Sequence, residues 1–153
     1  MEVMLLRKFF NLLTVFVAGG LAYGAVEVVS RGFTYLSMGI LGGVCMLVVH
    51  LLGDERRNGL SLFSAMLIST AFITAIEFLT GEILNRTLHL HIWSYAAIPL
   101  NFDGQICLLY SFVWFAISFV AVIFDEWLRL KIFHEKSYPI FADLRKRAAK
   151  SRL

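Results

Sequence analysis

The chain has 153 residues, of which 59% are hydrophobic and 16% charged, and its mean hydropathy is +0.75. Soluble domains are roughly half apolar and a quarter charged, so this composition excludes an ordinary soluble globule. Two prolines and eleven glycines give no support to a collagen-like or disordered chain. The length predicts a single domain.

Four uncharged runs contain most of the apolar residues, and each approaches the roughly 20 residues that a helix needs to cross a bilayer. The runs cover residues 9–26, 32–53, 58–76 and 104–124. They predict transmembrane helices over about 9–29, 34–53, 59–80 and 104–126, with an outer loop at 81–103. The first run is longer than the apolar core of a signal peptide, so we expect it to be retained as a helix.

The four helices define a predicted transmembrane domain of residues 1–128, followed by a basic tail of residues 129–153. Lys and Arg accumulate in cytoplasmic loops. Of the 14 Lys and Arg residues, 12 lie on the side of the termini and only Arg31 and Arg86 lie on the other. The sequence therefore predicts cytoplasmic N- and C-termini.

The tail has the pattern of a lipid anchor. Residues 127–133 alternate apolar side chains with Arg129 and Lys131, as an interfacial helix does, and residues 144–152 add five basic residues. Anionic headgroups attract such a cluster. No aromatic stacking platform accompanies the charges, so nucleic acid is the less favoured partner.

An internal repeat is visible in the sequence. Residues 25–30 match 75–80 in hydrophobic class and carry a carboxylate at the same place, and residues 42–47 resemble 104–109. The interval between the two motifs is 12 residues longer in the second copy. A true duplication predicts two parallel helical hairpins (a 2+2 repeat) within an all-α membrane protein. The alternative is chance similarity between membrane hairpins.

The two repeated carboxylates, Glu27 and Glu77, lie near the outer ends of the first and third helices. Ionisable groups within a membrane helix are costly and are functional-site candidates by default. Glu27 also lies four residues before Arg31, which favours a structural ion pair on one helix face. Three interpretations stay open: structural pairing, convergence into a cation- or proton-binding site, and contact with a substrate amine.

The second concentration of polar residues is the outer loop and its borders. Our binding candidates in the whole chain are Glu27, Arg31, Glu77, Glu82, Asn85, His91, Trp93, Tyr95, Asn101 and Gln105. His89 and His91 are a weak metal signal, because a third ligand such as Glu82 or Asp103 would have to join them. A solvated loop with Trp93 and Tyr95 as interface anchors is favoured, and no metal or cofactor is expected.

Other residues have structural interpretations. We expect His50 to be solvated or in contact with headgroups at the cytoplasmic end of the second helix, and Cys45 and Cys107 to act as small buried hydrophobes. Gly19, Gly20 and Gly24 form a small-residue face that allows close helix packing. The chain contains no Walker A loop, nucleophile elbow or HExxH motif, so no catalytic activity is expected.

The sequence also resembles a known family, the CmpB-type ABC-transporter permeases, which are small multi-pass bacterial membrane proteins. The residues that carry the resemblance are Glu77–Gly81, Asn85, Trp93, Tyr95, Pro99, Asn101, Gly104–Leu108 and Trp114, with Glu27, Arg31-Gly32, Thr34, Ser37-Met38, Gly42-Gly43 and Cys45. The resemblance implies a transport role and assigns no substrate. The family commonly has Trp-Asp-Tyr-Ser in the outer loop, whereas this chain has Trp93-Ser94-Tyr95-Ala96.

Two main functions follow from these observations. The first is a transport component, which at four helices would form a homodimer or join a larger membrane complex. The second is a non-transporting scaffold or envelope sensor that acts through the outer loop and the basic tail. A membrane-embedded enzyme is a third and weaker hypothesis, because it would need Glu77, Glu82 and a histidine around a metal.

Overall fold

The computed structural model describes residues 2–136 and 138–140, and the fold in this part is all-helical apart from one short β-ribbon. The helices are α1 (Glu2–Arg31), α2 (Leu36–Asn58), α3 (Leu62–Gly81) and α4 (Leu108–Lys131), with a π-helical turn at Glu82–Thr87. Strands β1 (Asn101–Phe102) and β2 (Ile106–Cys107) pair antiparallel. The four α-helices are long and apolar enough to cross a membrane, which confirms the predicted helical architecture with four helices able to span a membrane.

Glycines set the close packing of α1 on α2. A Cβ atom added to Gly20 would lie 2.6 Å from the carbonyl oxygen of Gly39, and one added to Gly19 would lie 2.2 Å from Cβ of Met46. The backbones approach closely because these positions carry no side chain. The packing role predicted for Gly19 and Gly20 is confirmed, whereas Gly24 has only ordinary contacts, with Thr34.

Buried residues recur at intervals of mostly three or four along α3 and α4, so they lie on one inward face of each helix. The buried residues are Leu62, Ala65, Ser69, Glu77 and Gly81 in α3, and Trp114, Ser118, Val122, Asp125, Leu128 and Arg129 in α4. Each of the two faces therefore carries both apolar and polar side chains into the bundle.

Four helix limits differ from the predicted spans by four residues or more, and two of them are the ends of α2 and α4, which lie five residues later than predicted, at Asn58 and Lys131. Helix α1 begins at Glu2 rather than near residue 9, because Arg7 and Lys8 end the uncharged run without ending the helix. Helix α4 begins at Leu108 rather than at residue 104. Residues 104–107 belong to the turn and second strand of the ribbon, and an uncharged run alone does not distinguish a strand from a helix.

We call the end of the bundle that carries residues 27–35 and 77–107 the loop end, and the end that carries residues 50–58, 125–136 and 138–140 the terminal end. At the terminal end, residues 132–136 and 138–140 follow α4 and lie against the helix ends. Glu126 accepts a hydrogen bond from the backbone N–H of Tyr138 at 2.6 Å, and Arg56 donates to the carbonyl of Ile140 at 2.5 Å.

This arrangement corrects part of the predicted interfacial surface. Leu128 and Phe133 are buried in the hydrophobic core beside Val49, whereas Trp127 and Leu130 are exposed. Phe133 is held there because its carbonyl accepts a hydrogen bond from Arg7 and its ring packs on His50. The five basic residues between 144 and 152 lie outside the described residues.

Candidate functional site

The loop-end site is centred on Glu77, a buried residue of α3 with 5% of its surface exposed. Its Oε1 atom accepts a hydrogen bond from the Tyr95 hydroxyl at 2.7 Å, and its Oε2 atom accepts one from Nε1 of Trp114 at 2.8 Å. Each carboxylate oxygen thus has one neutral donor. Tyr95 comes from the loop and Trp114 from α4, so the carboxylate joins three parts of the chain.

Aromatic rings surround this carboxylate. Tyr23 of α1 packs against Trp114 with ring centroids 6.2 Å apart, and Tyr110 of α4 packs against Tyr95 at 4.6 Å. Burial and the adjacent Glu77 carboxylate raise the pKa of Tyr95 above its ordinary value. Tyr95 therefore keeps its proton at neutral pH and serves as a hydrogen-bond donor to Glu77.

Glu77 differs from the other buried carboxylates by having no basic partner. Three carboxylates are buried in the described part of the chain, namely Glu27, Glu77 and Asp125. Glu27 pairs with Arg31, and Asp125 contacts both His50 and Arg129. Glu77 forms no ion pair with any described residue and has only the two neutral donors. An unpaired carboxylate in a low-dielectric site favours a proton or a cationic partner.

Glu27, the other carboxylate of the sequence repeat, has a different environment from Glu77. Glu27 forms the expected i, i+4 ion pair with Arg31 at 2.7 Å, and the Thr34 hydroxyl donates to its other oxygen. Arg31 also donates to the carbonyl of Ile92 at 3.2 Å. No direct contact joins Glu27 to Glu77 among the described residues, although Tyr23 lies within electrostatic range of both.

Three other candidates hold the loop in place. The side-chain amide of Asn85 donates to Oε1 of Gln105 at 3.0 Å, while its oxygen accepts the backbone N–H of Ile92 at 2.7 Å. Trp93 donates from Nε1 to the carbonyl of Gln105 at 3.0 Å. Asn85 lies in the π-helical turn, a geometry that recurs at functional sites. These bonds fix the chain on both sides of Tyr95.

The remaining candidates lie at the surface of the loop end. Glu82 and Asp103 both pair with the exposed Arg86. Asn101 closes the ribbon turn by accepting the N–H of Gly104 at 3.0 Å. His91 is exposed, with a positive φ of 48°. No group of three potential metal ligands occurs in residues 2–136 and 138–140.

The sequence prediction missed a second polar cluster, which lies at the terminal end. His50 is 6% exposed, and its Nδ1 atom lies 2.6 Å from Oδ1 of Asp125. The prediction that His50 is solvated is therefore wrong. Asp125 also accepts from Nε of Arg129 at 2.8 Å, and Arg129 reaches Asp54 at 2.7 Å, Glu135 at 2.9 Å and the carbonyl of His50 at 2.5 Å.

The sequence carried a partial signal of this cluster. His50 and Asp54 are four residues apart on α2, and Asp125 and Arg129 are four residues apart on α4. Each pair marks a polar helix face. The two faces meet at Gly53, where an added Cβ atom would lie 2.7 Å from Oδ2 of Asp125.

Four apolar helices with buried carboxylates at two levels define a multi-pass membrane protein. A family model, described as "Putative ABC-transporter type IV", matches residues 14–142, which is most of the chain. The chain therefore belongs to this family, and the resemblance to the CmpB-type permeases is confirmed. No curated protein and no solved structure matches it.

Proposed function

We propose that this protein is the membrane component of a transport system and that Glu77 is the cation-binding group of its loop-end site. One observation carries the proposal: Glu77 is the buried carboxylate without a basic partner in the described part of the chain. Family membership supports the transport role.

The chemistry of the site favours cations. A buried carboxylate is costly in hydrocarbon unless a proton or a positive charge neutralises it. Tyr95 and Trp114 each donate one hydrogen bond to Glu77, which leaves further lone pairs on both carboxylate oxygens. The proposed ligand is therefore a proton or the cationic group of a solute, held by Glu77 with the aromatic rings around it.

Access to Glu77 depends on the loop in this proposal. Tyr95 covers the carboxylate from the loop, and bonds made by Asn85, Trp93 and Gln105 hold the backbone on either side of it. Displacement of Tyr95 exposes Glu77 toward the loop end. Arg31 donates to the carbonyl of Ile92 and connects the Glu27 ion pair to the same loop. The two repeated carboxylates therefore have different roles: Glu77 binds, and Glu27 anchors the loop.

The wider setting of the proposal follows from charge and size. The terminal end faces the bacterial cytoplasm, in line with the 12 basic residues on that side, and the basic tail contacts anionic headgroups. Four helices are few for a complete permeation path, so the chain acts as a homodimer or within a larger complex. We also propose that the two helical hairpins arose by a 2+2 duplication and that the protein acts without catalysis or a cofactor.

The test is charge movement across proteoliposomes on a solid-supported membrane. The bathing solution is switched among sodium, potassium, ethylammonium, choline and a step of pH. We expect at least one switch to give a transient current that is lost in Glu77→Gln. Glu82→Gln is the matched control, because Glu82 is only partly buried and is paired with Arg86, and it should retain the current. Equal currents in wild type and Glu77→Gln would overturn the proposal.

The alternative function, a scaffold or envelope sensor, has one supporting observation. The loop end exposes large apolar side chains, among them Leu88, Leu90, Leu100 and Phe102. A partner protein or the membrane interface would cover them. Photocrosslinking from position 100 separates the two functions: a defined protein adduct, with no cation-dependent current, favours the sensor.

A further inference from the structure

We propose that the inward faces of α3 and α4 form a proton path that joins Glu77 at the loop end to the His50–Asp125 pair at the terminal end. The inference rests on the proposed function in one respect, the exchange of a proton or cation at Glu77. It adds an activity to that site, namely proton transfer through the bundle.

The first support is the order of polar groups along the inward face of α4. Trp114, which donates to Glu77, is followed on this face by Ser118, by the apolar Val122 and then by Asp125. At 1.5 Å per residue, Ser118 lies about 6 Å beyond Trp114 along the helix axis, and Asp125 lies about 10 Å further. Ser69 lies on the inward face of α3, about 12 Å before Glu77 by the same measure. The two serines thus lie between the two carboxylates.

The second support is the state of these two hydroxyls. Ser69 is 1% exposed and Ser118 is 0% exposed, and neither hydroxyl has a hydrogen-bond partner among the described residues. Buried polar atoms in folded proteins are nearly always satisfied, by protein groups or by water. Water is the usual partner of a buried hydroxyl that no protein group satisfies, and the proposal places such water beside Ser69 and Ser118.

The third support is that each end of the path has a group able to exchange protons. At the loop end, Glu77 faces Tyr95, Trp114 and Tyr23, none of which carries a charge at neutral pH. At the terminal end, the carboxylate of Asp125 lies 2.6 Å from Nδ1 of the His50 ring.

Charged groups around the inner pair keep the terminal end polar. Arg129 contacts Asp125, and its guanidinium also reaches Asp54 and Glu135. The side chain of Asp54 is 56% exposed, so this cluster extends from the bundle interior to the surface. The proposal places the release of the proton to solvent at this end of the bundle.

The transfer conserves every atom. Glu77 in its protonated form gives its proton to a neighbouring water, and the excess proton passes along water molecules bound to the two hydroxyls. Each serine oxygen accepts one proton and releases its own hydrogen to the next water, so the serine is unchanged. His50 accepts the proton at a ring nitrogen and releases one to solvent, and Glu77 regains a proton from the loop end.

The experiment measures proton entry into liposomes that contain the purified full-length protein and a trapped pH-sensitive dye. A potassium gradient with valinomycin sets the membrane potential. We expect entry above the rate of protein-free liposomes, and a decrease of about tenfold in Ser118→Ala and in Ser69→Ala. Tenfold corresponds to about 1.4 kcal/mol, close to the value of one hydrogen bond.

Thr70→Val is the matched control. Thr70 is adjacent to Ser69 in sequence, but it lies toward the outer surface of α3, where its hydroxyl donates to the carbonyl of Met66. Its loss should leave the rate unchanged. Entry no faster than in protein-free liposomes would overturn the path, as would equal rates in Ser118→Ala and wild type. If either of these results is found together with a cation current that depends on Glu77, the proton path is wrong and the proposed function is retained.

Discussion

The buried position of Arg129 predicts that the terminal-end cluster contributes strongly to stability. The perturbation is Arg129→Met, which keeps an unbranched apolar side chain and removes the charged guanidinium. Four hydrogen bonds are lost, to Asp125, Asp54, Glu135 and the carbonyl of His50. Asp54 and Glu135 regain water because their side chains are 56% and 34% exposed, so their share is small.

Asp125 determines how much free energy of unfolding is lost in Arg129→Met. Its side chain is 4% exposed, and in the variant His50 is its sole remaining polar partner among those described. Removing one partner of a buried pair costs about 3–5 kcal/mol, because it leaves an uncompensated charge. Arg86→Met is the control: Arg86 also pairs with two carboxylates, but its side chain is half exposed, so its loss should cost less than about 1 kcal/mol.

The assay is equilibrium unfolding of the purified protein in mixed detergent micelles, followed by far-ultraviolet circular dichroism. We expect the decrease in the free energy of unfolding to be several times larger in Arg129→Met than in Arg86→Met. Asp125→Asn in the Arg129→Met background should recover part of the loss, because it removes the stranded charge. Equal costs for Arg129→Met and Arg86→Met would refute the reasoning.

Two further predictions concern helix packing and the loop. Gly20→Ala should lower the free energy of unfolding by about 1–3 kcal/mol, because its Cβ atom would lie 2.6 Å from a carbonyl oxygen. Gly24→Ala is the control and should be nearly neutral, because an added Cβ atom would make only ordinary contacts there. Thermal unfolding in detergent compares the two variants. The raised pKa of Tyr95 means that the folded protein holds this proton more tightly than the unfolded chain. The free energy of unfolding should therefore be retained below about pH 10 and decrease above it, and this decrease should be smaller in Tyr95→Phe. Phenolate absorbance follows the ionisation of the tyrosines, and unfolding measured across the same pH range gives the stability.

The sequence predicted the features of this protein that depend on local pattern. Uncharged runs located four helices because hydrocarbon thickness fixes the length of a span. The ion pair between Glu27 and Arg31 followed from helical spacing alone, and the glycines of α1 indicated the close contact with α2. Each of these inferences uses residues that are neighbours on one helix.

Contacts between distant parts of the chain were not predictable in this way. Glu77 and Trp114 are 37 residues apart, and His50 and Asp125 are 75 apart, so neither pair has a sequence spacing that marks it. The misplacement of His50 had the same cause. A histidine near a helix end is usually solvated, and only the packing of α2 on α4 brings Asp125 to it. The ribbon at residues 101–107 was missed because its second strand continues into α4 without a polar break.

The most direct test of the central claim is cation binding measured at Glu77 itself. Trp114 donates to Glu77 at 2.8 Å and Trp93 lies in the loop that covers Glu77, so the tryptophan fluorescence of Trp127→Phe reports on this site. The reconstituted variant is titrated with sodium, potassium, ethylammonium, choline and acid. The account predicts a saturable change with at least one of them that disappears when Glu77→Gln is added. No response to any of them, or the same response with Glu77→Gln, would contradict it.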